Sequence, residues 1–507
     1  MGLAVKQRLG VPFPFTTDAR SVGWARATPT RVFRGSTPRK LGRFSVPRSQ
    51  RIRDPVHNLI EFNTGPFEQM CWRLIQTAAF QRLRRVKQLA FSELVYPGAT
   101  HSRFAHSVGV FHTARQLADV IKRDRGDAFD IRRSQTAIAA ALLHDLGHGP
   151  FSHAFEEVLK KLGFGRHEAT SVRIIKDVEV AGILNSYVPN FANSVAQIIE
   201  NKVPEDIYAA IVSSQFDADR LDYMRRDRMM TGAQSSAIDF EWLMANLEVR
   251  RVKVGQDEQE VRVIETLVVG QKAFLGAEEY VLGLFHLYPA VYFHKATRSA
   301  EKIFGALLMC IFQLVLAGQR AETGLPANHP LVRFAEQPND LERFYKLDDS
   351  VVWGALAMLT ESKNACIREL SSRLVERKFY KAIDVTAKIE AALAALPPQE
   401  RDERRRKAEA SIRLKLGESG MMAATDRAPL VMDDVVVRDP YRQGQGEGAV
   451  LEAIYAVDRS GDLKELSYLS QVVAALKKYE VYRIYYRESD EETKKALDMI
   501  IGGHCHA

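Results

Sequence analysis

The residues Ala140-Ala141-Leu142-Leu143-His144-Asp145-Leu146-Gly147-His148-Gly149-Pro150-Phe151-Ser152-His153 constrain this chain more than any other stretch. An apolar run ends in an adjacent His-Asp pair, and two further histidines follow within ten residues of the first. Neutral imidazole is the commonest protein metal ligand. His144 and Asp145 side by side at a helix end can both reach one cation. Buried imidazole and carboxylate groups are costly unless a metal or a partner satisfies them. A His-plus-carboxylate set suits iron, manganese or zinc, and open coordination positions would admit water or substrate. Gly147 and Gly149-Pro150 end the helix, and backbone freedom there would let His148 and His153 be aimed separately.

The sequence around this stretch predicts a mainly α fold. Asp54-Pro55-Val56-His57 reads as a turn before a short strand, Leu59 to Phe62. Phe67 to Ala90 has helical spacing, with Arg82, Arg84, Arg85 and Lys87 on the polar face as either a solvated or an anion-binding surface. Tyr96-Pro97-Gly98-Ala99 is a turn signal. A helix follows from about Ser102 to Arg123, on which Arg103 and His106 share a face. Ser134 is the expected cap of the next helix, the one that runs into His144. Phe155 to Leu162, Ala169 to Val180, Phe191 to Glu200 and Pro204 to Asp227 read as helices. Arg250 to Val254 with Glu260 to Ile264 reads as a β-hairpin, and Leu267 to about Leu396 is again helical. Glu400 to Glu409 is a charged helix face or linker. Val431 to Val437 and Val481 to Tyr486 read as strands, and Gly444 to Gly448 as a flexible turn.

These elements suggest a core over 49–396 and a small α+β region over 397–507. Residues 1–48 are basic, with Asp18 as the only acid. They read as a disordered tail, with an organellar transit segment or a mis-assigned start as alternatives. The expected location is the cytoplasm, or an organelle if the leader is a transit peptide. Ile303 to Gly318 is too short an apolar run for a membrane span and reads as core helix. The chain of 507 residues carries a net charge of +8, which favours anionic partners, whether nucleotides or, weakly, nucleic acid. Its four cysteines, Cys71, Cys310, Cys366 and Cys505, form no C-x-x-C pair and imply no disulfide framework.

Several longer motifs carry a resemblance. They are Phe80-Gln81-Arg82-Leu83-Arg84, Lys87-Gln88-Leu89, Pro97 through Ser107, His144 through His153, and Asp217 through Asp227. Together they resemble the dNTP triphosphohydrolases of the HD superfamily, strongly over about residues 50 to 230 and more weakly to perhaps 390. The pattern is closer to bacterial members, and the segment before it is too short for the SAM domain of vertebrate ones. The resemblance implies an HD-domain helical core and metal-dependent hydrolysis of a dNTP to a deoxynucleoside and inorganic triphosphate.

It also implies residue roles. His106, His144, Asp145 and Asp219 would hold the metal, and Mg²⁺ would accompany the triphosphate. Helical spacing independently puts Asp219, Tyr223 and Asp227 on one face; a surface ion-pair face with Arg225 and Arg226 is the alternative. His153 would protonate the leaving oxygen with Glu156 orienting it, and vertebrate members have Asp at that position. His148 and His167 would face phosphates. Arg103 and Arg220 suit the triphosphate, with Lys at the latter position in vertebrates. Gln88 and Asp227 would contact the 3′-hydroxyl, and Leu89 would exclude a 2′-hydroxyl. Tyr288, Tyr292, His294, Lys295 and Arg298 are candidates for base stacking and phosphate contact, the two tyrosines being equally readable as core. Asp54 and Arg84 fall where vertebrate members bind an activating nucleotide, while Gln76 replaces an acidic residue there. The resemblance further implies a homo-oligomer, a tetramer first, and dNTP depletion for pool balance or for defence against a virus or phage. Two other readings compete. One is another HD phosphohydrolase acting on a nucleoside monophosphate, cyclic nucleotide or alarmone. The other is a nucleic-acid-binding regulator with a structural metal site.

Overall fold

A computed structural model describes residues 48–201, 203–235, 237–254, 262–423, 427–442 and 447–505. The basic segment before Arg48 and most of the glycine-rich turn at 444–448 lie outside these residues. The described chain opens with an antiparallel hairpin, β1 (Gln50–Asp54) and β2 (Asn58–Phe62), turned at Asp54 to Asn58. Helices α1 (Pro66–Ile75) and α2 (Ala78–Arg82) follow where one continuous helix is expected. The apolar period runs on through the break, but Thr77 takes an extended conformation and its hydroxyl accepts the Phe80 N–H at 3.3 Å, capping a new helix.

The centre of the molecule is α3 (Arg103–Arg125), capped by Ser102, with α4 (Ile131–Leu143) packed along it. Asp130 caps α4 by accepting the Arg132 and Arg133 N–H groups; Ser134, the expected cap, is buried inside the helix. Each large side chain on the buried stripe of α3 (Phe104, Val108, Phe111, Leu117, Ile121) contributes about 1.5–3 kcal/mol by leaving water. Next come α5 (His153–Lys161), α6 (His167–Ile175), α7 (Val178–Tyr187), α8 (Phe191–Glu200) and α9 (Ile207–Ala210). The helix expected over 169–180 is thus two, joined at Lys176-Asp177. The one expected over 204–227 is α9, a turn, and α10 (Ala218–Thr231), which starts where Asp217 accepts the Arg220 N–H at 2.8 Å. Helix α10 crosses α3 closely because residue 109 is glycine: a Cβ there would sit 2.0 Å from the Asp222 carboxylate.

After α11 (Phe240–Ala245), strands β3 (Leu247–Val254) and β4 (Arg262–Val269) form the expected hairpin with Leu247 opposite Val269, longer at its base than the alternation indicates. Then come α12 (Phe274–Leu287), a π turn at Tyr288–Tyr292, and α13 (Lys295–Leu316). Helix α13 is long and apolar enough to cross a membrane by length and composition. Here it is a core helix, with Ile303, Phe304, Leu307, Leu308, Ile311 and Phe312 buried.

The region after residue 396 is interleaved with the core. A three-stranded sheet of order β5-β9-β6 draws β5 (Lys381–Asp384) from before that point, pairing it with β9 (Tyr479–Tyr486) beside β6 (Val431–Arg438). The second apolar cluster begins at Val385 and includes Ile412, Leu416 and Ile484. The charged run at 400–409 lies in a helix, Pro398–Glu418. Strands β7 (Tyr455–Val457) and β8 (Leu463–Glu465) extend the β3-β4 sheet, β7 lying parallel to β4. All four cysteines are buried and free. The described fold is mainly α with small sheets, as the sequence indicates.

Candidate metal centre

Three helices supply the cluster: His106 from α3, His144-Asp145 at the end of α4, and Asp219 from the first turn of α10. Ligand atoms of His106, His144 and Asp145 lie within 4.8 Å of one another. The tautomers follow from the other ring nitrogens. His106 donates from Nδ1 to Asp222 at 2.8 Å, and His144 donates from Nδ1 to the Ala141 carbonyl at 2.8 Å. In the neutral ring, the form that binds a metal, each Nε2 is therefore a bare lone pair. His106 Nε2 faces Asp219 at 2.9 Å and Asp145 at 3.7 Å, and His144 Nε2 faces Asp145 at 3.3 Å and Asp219 at 3.7 Å. Both Nε2 atoms are buried without a hydrogen-bond partner. Two imidazole lone pairs converging with two carboxylates fit a divalent cation, which removes their mutual repulsion.

The same crowding governs protonation without a cation. Burial lowers the pKa of His106, but the adjacent Asp219 and Asp222 carboxylates more than offset this and push it up to about 10. His144 shifts the same way, burial being outweighed by Asp145 and Asp219. Burial opposes ionisation of Asp145, yet Arg103 and His144 hold its carboxyl well below the ordinary range. Asp219 is held down against burial by His106 and His144.

A second group of imidazoles adjoins the first. His148, His153 and His167 also have ligand atoms within 4.8 Å of each other. His148 stacks on His167 with ring centres 3.8 Å apart, and its Nε2 lies 3.2 Å from Asp145. Burial, with Arg103 and His167 nearby, holds the His148 pKa well below its usual value, so this ring is neutral at pH 7. Glu156 bonds His167 Nδ1 at 2.7 Å and lies 3.5 Å from His153 Nδ1. It therefore engages the residue not expected as its partner more closely than the one that was. The His153 side chain is 70% exposed and faces solvent. Gly147 is needed here for space rather than for a positive φ, since a Cβ would meet the His167 carbonyl at 2.1 Å. The residues with positive φ are Phe151 and Ser152.

Arg103 donates to Asp145 at 2.5 Å and to Ser152 at 2.8 Å, tying α3 to the histidine loop. Gln88 is half-buried with its Oε1 unpartnered, and Leu89 beside it is buried. Asp227 accepts from His101 Nε2 at 2.8 Å and from the Tyr292 hydroxyl at 2.7 Å. Tyr292 packs edge-on to Tyr223 and Tyr288. Arg220 lies near Asp217, Tyr223 and Tyr288. Tyr223, Asp227, Tyr288, Tyr292 and Arg220 thus gather on one side of the cluster. The rest of that candidate group is placed elsewhere. His294 caps α13 and packs on Tyr96. Lys295 opens onto a surface cavity of about 870 Å³ with Arg373, Arg377 and Lys378. Arg298 is committed to Asp434 and Glu301, so the expected phosphate contact does not fit it.

Of the two residues at expected activator positions, Asp54 is buried against Arg226, at 2.8 Å, which leaves it no surface to offer. Arg84 is exposed, over the Phe104 ring. The expected common polar face of 82–87 does not exist. Arg82 is fully buried, donating to the carbonyls of Leu146, His148 and Leu347. Arg225 and Arg226 point away from the Asp219-Tyr223-Asp227 face, Arg225 stacking on Phe240 and Arg226 bonding Asp222.

Sequence reasoning missed the support behind the ligands. Asp222 takes His106 on one oxygen and His57 at 2.6 Å on the other, while Arg226 bonds both. The i,i+4 spacing of Asp222 and Arg226 was the available signal. His101 sits inside a recognised motif, but nothing in the spacing announces its bond to Asp227.

An α-helical core presenting a His/Asp cluster of this kind defines the class of HD-domain proteins. Residues 103–224 match the HD domain family. The uncharacterized protein YwfO of Bacillus subtilis is 31% identical over 443 residues, covering 86% of this chain and 91% of that protein. The chain belongs to this HD-domain family. A Dictyostelium discoideum protein named deoxynucleoside triphosphate triphosphohydrolase SAMHD1 homolog is 30% identical over 354 residues, 66% of this chain and 60% of that one. In fold, the chain is similar to a phosphohydrolase from Bacteroides thetaiotaomicron, with a TM-score of 0.64 and 24% identity over 87% of this chain and all of that one.

Proposed function

We propose that the protein hydrolyses dNTPs to a deoxynucleoside and inorganic triphosphate. The observation that carries this reading is the convergence of two unpartnered imidazole Nε2 atoms and two carboxylates beside a second trio of histidines. His106, His144, Asp145 and Asp219 would hold a divalent iron, manganese or zinc ion, supplying Lewis acidity toward phosphate and water. The chain's own residues do the rest. Arg103 bonds Asp145 and borders the histidine loop, where a guanidinium fork can also meet a phosphate oxygen. Neutral His148 turns its Nε2 N–H to Asp145 and keeps a buried, unpartnered Nδ1 lone pair that can accept from the water attacking the α-phosphate. The exposed His153 can reach a bound substrate and hand a proton to the leaving 5′-oxygen, a task suited to an imidazole near neutral pH. One water balances the step: its oxygen bonds to the α-phosphorus, the bond to the 5′-oxygen breaks, and that oxygen ends protonated. Gln88, Leu89 and the Asp227-Tyr292 pair form the sugar side. Mg²⁺ would accompany the triphosphate, and the active form would be a nucleotide-activated oligomer.

The test is incubation of the full chain with each dNTP, singly and in mixtures, with Mn²⁺ or Mg²⁺. Triphosphate and deoxynucleoside are the expected products; release of orthophosphate alone, or no turnover in any mixture, would overturn the reading. His144→Ala should lose metal and turnover together. His153→Ala should keep its metal while turnover falls about 10²–10⁴-fold. Equal metal loss in both would end this division of roles.

A further inference from the structure

The helix Asp349–Leu359 lies far along the chain from residues 103–224, yet its first side chain returns to the site. Asp349 is 3% exposed, and its two carboxylate oxygens are divided between two loops. One accepts the Phe151 N–H at 2.8 Å and the other accepts the Lys87 N–H at 2.8 Å. Phe151 stands between His148 and His153. Lys87 immediately precedes Gln88 and Leu89. The two loops also touch directly where the Ser152 hydroxyl donates to the Lys87 carbonyl at 3.3 Å.

The histidine loop needs such a hold. Phe151 and Ser152 both have φ of +52°, a conformation that residues other than glycine keep only where their surroundings impose it. The external partners are in place. Asp349 takes the Phe151 amide, Arg103 bonds Ser152, and buried Arg82 spans the carbonyls of Leu146, His148 and Leu347. Leu347 lies two residues before Asp349, so the loop is tied to that segment at both ends. Burial pushes the Asp349 carboxyl up to about 6 against the two amide bonds, so the group stays in the core at an electrostatic disadvantage.

We propose that Asp349 is a positioning residue that fixes the spacing between the histidine loop 144–153 and the loop 86–89. It thereby aligns the phosphate-side imidazoles with Gln88 and Leu89. The kinetic consequence rests on the phosphohydrolase reading above; the structural clamp does not.

The experiment compares Asp349→Ala, Asp349→Asn and Asp348→Ala. Asp348 is the control, because it caps the same helix and pairs with Arg85 without touching either loop amide. Hydrogen exchange is followed in peptides containing Lys87 and Phe151. Asp349→Ala should lose about tenfold or more of the protection in both peptides. Asp349→Asn, with one carbonyl oxygen in place of two, should keep protection in one of them. Asp348→Ala should lower the melting temperature and keep protection in both. On the substrate that the wild type turns over, Asp349→Ala should keep its metal content and lose about 100-fold in kcat, the scale of a 1 Å misplacement. Its preference for deoxy over ribo substrates should narrow.

Unchanged protection in both peptides would overturn the proposal. So would a uniform loss of protection and metal that Asp348→Ala reproduces. If Asp349→Ala does not fold, the one-sided exchange of Asp349→Asn decides. If the wild type leaves every dNTP intact, the functional reading fails, and the exchange result still decides the clamp.

Discussion

Two buried aspartates each hold an arginine through paired hydrogen bonds, and only one of them sits behind a site. Asp222 receives Arg226 at 2.8 and 2.9 Å, and Asp434 receives Arg298 at 2.9 and 2.6 Å. The local geometry is nearly the same. The difference lies in what else each network reaches. Around Asp434 the charges close on one another: Lys302 joins at 3.0 Å, Glu301 takes Arg298, and Glu157 takes Lys302. This network fastens α13 to the sheet of β5, β9 and β6. Around Asp222 the chain of bonds runs through His106 and ends at an Nε2 with no hydrogen-bond partner. A closed ion network shifts protonation in the same direction as an open one. It is the unpartnered atom at the end of the chain that marks a place for a ligand.

Substitution at Asp222 should have the largest effect. Asp222→Ala leaves buried His57, His106 and one side of Arg226 without their acceptor, and loss of about 3–5 kcal/mol is expected from denaturant unfolding. Asp222→Asn keeps the shape, and its expected effect is a 10–100-fold weaker metal affinity, since the imidazole loses the carboxylate that fixes its tautomer. Full metal affinity in folded Asp222→Asn would reduce the Asp222 network to a structural one like that of Asp434. Asp434→Ala should cost about 3 kcal/mol, the low end of the same range because Arg298 and Lys302 retain some contact with water. Its metal content, by elemental analysis, should match the wild type.

The two networks should also answer to opposite ends of the pH scale. Without metal, His106 titrates near 10 in the folded protein, against 6.5 when unfolded. A raised folded pKa gives stability that is fully present below about 6.5 and is lost as pH rises through about 10, by at most about 1.4 kcal/mol per pH unit for one proton. His144 shifts in the same direction. Metal takes the place of these protons, so the slope should vanish in metal-loaded protein. Asp434 behaves in reverse. Burial raises its pKa, but Arg298 and Lys302 outweigh this and depress it below 3.8, so its contribution is present above about 3.8 and is lost as pH falls further. Unfolding titrations of the metal-free and metal-loaded protein decide it: equal alkaline slopes in both would contradict the assignment of His106 and His144.

What could be read from the sequence follows the range of the interaction. His144, Asp145 and the helical faces carrying His106 and Asp219 announce themselves through spacing of a few residues. The closing of α1 at Gln76 was hidden because the apolar period continues through it and only Thr77, extended and capping the next helix, marks the break. Arg298 looks like a phosphate ligand until its partner, 136 residues later, is seen. Asp349 shows no local pattern at all, since its bond to the Lys87 amide spans 262 residues. Buried arginine follows the same rule: Arg82 shares a charged tetrad with Arg84, Arg85 and Lys87 in the sequence, yet it alone goes into the core.

Arg84 supplies the smallest and most discriminating test of that contrast. It lies outside both networks, donates to Gln81 at 2.9 Å and stands over Phe104 at 3.6 Å. As a structural group, Arg84→Ala should cost about 0.5–1 kcal/mol, the range of an exposed cation–π contact. As a contact for an activating nucleotide, it should leave metal content intact and abolish the stimulation of one dNTP's hydrolysis by a second. Asp54 stands at the other expected activator position, but its carboxylate is spent on Arg226 and on the backbone of Val56 and His57. Asp54→Ala should therefore unfold the protein more readily and weaken metal binding through Arg226 and Asp222. Rates measured over a matrix of dNTP pairs separate the two residues. Stimulation lost in Arg84→Ala at full metal content assigns the exposed residue to a second nucleotide. Stimulation unchanged in that variant leaves Arg84 as a surface contact alone.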